Sequence, residues 1–96
     1  MRASKRRRSW LGTAELSLAI HANGTKRGAA GARAEMYGAA DRALGAADEE
    51  EKALYRAEFV DGMDYKMAAH ALHLSERTYY RIRGRLIGRV VEELQK

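Results

Sequence analysis

The chain has no cysteine and no proline among its 96 residues. Without thiols there are neither disulfides nor thiolate-bound metals. Without proline nothing blocks a helix outright, and punctuation falls to the nine glycines. β-Branched residues are sparse, which favours helix over strand almost everywhere. No apolar run approaches the roughly 20 residues that span a bilayer. The opening MRASKRRRSW has the basic start of a signal peptide, but no continuous apolar stretch comes after it. The expectation is a cytoplasmic, all-α protein with no membrane partner.

What is present is alanine and unevenly spread charge. Much of the hydrophobic fraction is alanine, so a domain of this size has a thin core and leans on a partner or on a second copy of itself. The net charge of +5 hides a sharper pattern. Residues 1–34 carry eight Lys/Arg against one Glu, and 35–64 carry three basic against nine acidic residues. Residues 65–96 return to seven basic against three acidic. Two basic ends around an acidic middle point to a polyanion partner.

The chain divides into three segments. Residues 1–12 read as a basic, flexible arm with too few apolar side chains to fold alone. Residues 13–47 read as one or two short Ala/Gly-rich helices. The first runs over 14–22 behind a Thr13 cap, with Leu16 and Ile20 on its inner face and Asn23-Gly24 as its stop. The second covers about 29–44, where Ala30, Arg33, Tyr37 and Leu44 keep a loose helical spacing. Gly31 and Gly38 weaken it by about 1 kcal/mol each, and its small residues suit close packing, for example in a homo-oligomer.

Residues 48–96 carry the firmest signals. DEEEKALYRAEFVDG opens with four acids at the positive end of a helix dipole. Leu54, Ala57 and Val60 line one side of that helix, and Gly62 stands where a glycine closes a helix. Asp64 caps a second helix over 65–72, with Ala68, Ala69 and Leu72 inward. Ser75 caps a third, over 76–94, whose buried stripe is Tyr79, Ile82, Leu86 and Val90. A helix, a tight turn and a second capped helix make a helix-turn-helix, here inside a tri-helical domain. Its second helix enters a major groove. Leu72 and Leu74 plug the turn. Glu76, Arg77, Thr78, Tyr80, Arg81 and Arg85 then point outward.

Arginine reads guanine through two parallel hydrogen bonds. Ser75, Thr78 and the arginines further along the helix, Arg83 and Arg85, suit phosphates, which position a protein without reading sequence, and Lys66 is counted among the DNA-binding residues. Lys5, Arg6, Arg7 and Arg8 of the arm either track the backbone or serve only solubility.

These residues carry a resemblance. The stretch from Leu54 to Leu94 resembles the C-terminal helix-turn-helix of bacterial sigma-factor region four and the phage late-transcription activators of the RinA/ArpU type. Phe59, Asp61 and Gly62 match the aromatic, acid and glycine of that pattern. Asp64 and Ala69 match its cap and its small crossing residue, and Ser75, Glu76, Arg77, Thr78 and Tyr79 match the opening of its second helix. Tyr79 stands where a small aliphatic is usual, and His73 where the turn has glycine. The resemblance implies a transcription regulator of phage or mobile-element origin, acting on double-stranded DNA in a bacterial cell, with RNA polymerase as a further partner. Nothing before Asp48 resembles a promoter-melting domain.

Other readings compete with this one. A DNA-packaging recognition subunit of the small-terminase kind uses the same motif in a ring, and a polymerase-binding module uses the acidic middle. His70 and His73 have a spacing that two metal ligands use, but with His21 as the only other histidine they read as turn and surface residues. Asp48 and the glutamates after it read as dipole partners. Trp10 is an anchor for the arm or an interface residue, while Tyr55 and Phe59 belong with the core. There is no nucleophile–base pairing, no phosphate-cradling glycine loop and no metal constellation, so neither an enzyme nor a cofactor is expected.

Overall fold

The computed structural model describes residues 2–24 and 31–96, with side chains from Trp10 onward in the first segment. Five α-helices, and no strand, occur among these residues: α1 (Arg2–Ala22), α2 (Ala32–Ala46), α3 (Glu49–Tyr55), α4 (Tyr65–Ala71) and α5 (Glu76–Leu94). α3 runs directly into a π-helical turn, Arg56–Val60.

Local chemistry sets the last three helix starts. Asp48, Asp64 and Ser75 each have extended backbone and accept a hydrogen bond from the N–H three residues on, at Glu51, Met67 and Thr78. Such caps stabilise by about 1 kcal/mol each. At the far end of the π turn the Asp61 N–H donates to the Arg56 carbonyl and the Met63 N–H to Ala57. That closure passes through Gly62 at φ 71°, a left-handed conformation suited to glycine. The turn between α4 and α5 needs the same conformation at His73, φ 58°. A histidine accepts it there in place of the usual glycine, at some strain.

α5 is the centre of the fold. Tyr79, Ile82, Leu86, Ile87, Val90 and Val91 are buried along it. Against them pack Ala14 and Leu18 of α1, Ala40, Ala43 and Leu44 of α2, Leu54 of α3, Ala57 of the π turn, and Ala68 and Ala69 of α4. The small residues let helix axes approach closely. The thin alanine core is thus shared by all five helices, and the small residues of α2 are used inside the chain, against α1 and α5.

Several expectations need correction. α1 starts at Arg2, so Thr13 lies within a helix instead of capping one; its carbonyl accepts the Ser17 hydroxyl at 2.7 Å. The backbone of the segment expected as an arm therefore continues α1, since nothing between Arg2 and Thr13 breaks a helix except Gly12, at a modest cost. α1 buries Ala14, Ser17, Leu18 and, as expected, Ile20, whereas Leu16 is 53% exposed. In α2 the exposed Arg33 lies off the buried face, which is Ala39, Ala40, Ala43 and Leu44. Val60 is 50% exposed because the π turn holds an extra residue and rotates its C-terminal end away from the face set by Leu54 and Ala57. Trp10 packs partly buried against the core.

Candidate nucleic-acid interface

Ser75 sets the site's entrance. Its hydroxyl accepts from the Thr78 N–H at 3.1 Å and donates to Thr78 Oγ1 at 3.0 Å, so both residues are tied to the first turn of α5. Beyond them Glu76, Arg77, Tyr80 and Arg81 are exposed. Arg77, Thr78, Tyr80 and Arg81 line an open depression on the outer face of α5. Lys66, on the first turn of α4, is exposed and holds its ammonium 5.9 Å from the centre of the Tyr65 ring. The depression and Lys66 account for seven of the predicted residues, counting Ser75 and Glu76 at its edge.

The remaining arginines of α5 are spoken for. Arg83 turns inward, where Glu58 takes Nε and Nη2 and Glu15 takes Nη2 at 2.6 Å. These carboxylates hold the guanidinium well above its usual range, Glu58 foremost. Arg85 stays exposed but pairs with Asp48 at 3.1 Å and Glu50 at 3.4 Å. Arg89 donates to Glu51 at 2.6 Å. All 13 side-chain carboxylates of the chain lie among the described residues, and none pairs with Arg77, Arg81 or Lys66. The positive charge of α5 is therefore free only in its first two turns. Arg83 and Arg85, assigned to DNA from the sequence, do not join that free set. The side chains of Lys5, Arg6, Arg7 and Arg8 lie outside the described residues.

Sequence reasoning missed two features. Glu51 reads in sequence as one dipole partner among four acids, yet it is fully buried and bound by Arg89, with Arg85 Nε 3.5 Å away. The signal was there in outline, because Glu51 keeps the helical spacing of Leu54 and a buried acid needs a cation. The second feature is His21, to which the sequence assigns no role. Its Nδ1 lies 2.7 Å from the Tyr55 hydroxyl and its Nε2 2.9 Å from Asp41, with Tyr37 stacked at 4.7 Å. A phenol, an imidazole and a carboxylate in line resemble an activated nucleophile. Burial, however, pushes the Tyr55 hydroxyl above its ordinary value, which opposes ionisation. The row works as a strut joining α1, α2 and α3. His70 and His73 belong to no metal-binding group among the described residues, and no helix there is long and apolar enough to cross a membrane.

The chain matches no protein-family model, no curated protein and no solved structure.

Proposed function

We propose that the chain is a sequence-specific, double-stranded-DNA-binding transcription regulator that reads the major groove with the start of α5. In this reading α4, the turn after it and α5 form a helix-turn-helix of the region-four kind. The observation that carries it is the division of arginines on α5. Three are neutralised by carboxylates from α1, α3 and the π turn, whereas Arg77 and Arg81 are left unpaired beside the capped turn. A helix meant only to be soluble has no reason to keep its free cations together at one end. A recognition helix does, because its first turns reach the base edges. Ser75, Thr78 and Lys66 flank them as phosphate contacts, in the manner of residues that set register without reading sequence. Origin in a phage or mobile element rests on the resemblance alone.

The test is selection from random duplex DNA, followed by titration of the recovered site and a scrambled duplex at one salt concentration. A preference of about 10³-fold or more is expected for a specific regulator. Equal affinity for both duplexes overturns the reading. Binding to RNA polymerase without any DNA preference replaces it with a protein-interaction role, and a ring of many subunits in solution replaces it with DNA packaging.

A further inference from the structure

Two tyrosine rings stand in the free part of this surface. Tyr65 opens α4 and is 37% exposed; Tyr80 lies in the second turn of α5 and is 49% exposed. Their centroids are 5.3 Å apart with the planes tilted by 42°, and Tyr79 stands perpendicular to Tyr80 at 6.0 Å. The pair holds the Tyr80 ring in one orientation before any partner arrives, so little side-chain freedom is lost on binding. On one side of the rings stand Lys66, Arg77 and Arg81, none paired with a carboxylate; on the other the rings border a depression lined by Glu15, Glu58, Asp64 and the paired Arg83.

Apolar ring carbon with unpaired cations on its α5 side and carboxylates behind it selects a partner that approaches from the Arg77 and Arg81 side. The cations ask for a polyanion and the rings for a small apolar group set among polar ones. An aliphatic peptide satisfies only the rings. An unpaired base stacks face to face on an aromatic platform, but Tyr80 already has Tyr65 tilted against it and Tyr79 edge-on, which suits contact at its rim. In the major groove of a duplex the one apolar feature is the C5 methyl of thymine, which side-chain carbon contacts directly.

We infer that Tyr80, braced by Tyr65, determines specificity by contacting a thymine methyl group on the duplex that α5 engages. This rests on the reading of α5 as a DNA-reading helix, and it adds the base class read between the two arginines. Arg77 and Arg81 then reach acceptors on either side of that thymine.

The experiment uses the full chain and the duplex recovered by selection. Each thymine is replaced in turn by deoxyuridine, which removes the methyl and nothing else. The affinity of the wild type should fall about fourfold at one or two neighbouring positions, the value of one buried carbon group. Tyr80→Ala and Tyr80→Gln should be insensitive to deoxyuridine at those positions, Tyr65→Ala should be less sensitive than the wild type, and Tyr80→Phe should keep the full effect. If no position is sensitive, or if both Tyr80 variants keep the wild-type penalty while still preferring the selected site, the inference falls and the DNA-reading role stands. If selection recovers no preferred duplex, both fall together.

Discussion

Arg83 and Glu58 face each other with paired bonds, Nε 2.9 Å from Oε1 and Nη2 2.8 Å from Oε2. The Tyr79 hydroxyl donates to the same Oε1 at 2.5 Å, and Arg83 also reaches Glu15 of α1. One ion cluster therefore ties α1, the π turn and α5 together directly behind the candidate interface. Replacing Arg83 by Met leaves Glu58, whose side chain is 17% exposed, without its cation. The expected loss is about 1–3 kcal/mol of stability, since the cluster is partly open to solvent. Urea denaturation measures it, and preference for the selected duplex should persist in the folded variant. A lost preference at unchanged stability would return Arg83 to the interface.

Tyr79 makes a pH prediction. Its burial, with Glu58 accepting from its hydroxyl, holds its ionisation above the ordinary value of 10.0. The unfolded chain loses that proton first, so the stability from this group is complete below about pH 10 and declines as pH rises beyond it. Tyr79→Phe should be less stable by about 1 kcal/mol at neutral pH yet lose less between pH 8 and 11. Parallel losses in the two proteins would show that Tyr79 does not titrate abnormally.

Ile82 is 1% exposed in the middle of α5. An aspartate there is buried without a partner, and Ile82→Asp should cost at least about 3 kcal/mol and unfold the chain near room temperature. Circular dichroism on heating decides it, and an unchanged melting curve would refute the central place of α5 in the core.

For reading, Arg77→Ala and Arg81→Ala should each weaken binding to the selected duplex by about 1–3 kcal/mol, and to random duplex by less. Equal losses on both would make them phosphate contacts.

Lys66 and Arg85 differ in how their charge is used. Each phosphate neutralised contributes about −0.9 to the slope of log K against log salt. Lys66→Ala should flatten that slope by about this amount. Arg85→Ala should leave it nearly unchanged, because Asp48 and Glu50 already hold the guanidinium. Salt titrations on one duplex compare them directly.

The helix order of the C-terminal half was legible because its signals are local. Ser75, Asp64 and Gly62 act within four residues of themselves, and the 76–94 helix has the bounds its cap and stripe imply. The outward positions of Arg77, Tyr80 and Arg81 came from helical periodicity about Tyr79 and Ile82. Leu16 and Val60 misled for related reasons. On α1 several apolar residues compete for one buried face, and the π turn changes the period within a helix that looks uniform in sequence.

The sequence by itself determined that the chain is helical, where its last helices begin, and that its basic residues gather at the ends. Those properties come from backbone chemistry and composition, which act at short range. Tertiary structure alone decided which arginines are free. Glu15, Glu51 and Glu58 meet Arg83 and Arg89 across 25 to 68 positions of sequence, and an ion pair depends on the few ångströms left once helices pack. Seen along the chain, helical periodicity separates the outward arginines of α5 from the others but does not say which of them meets a carboxylate. In the fold their pairing is settled by which of them faces the acids of the other helices, and Arg77 and Arg81 face none.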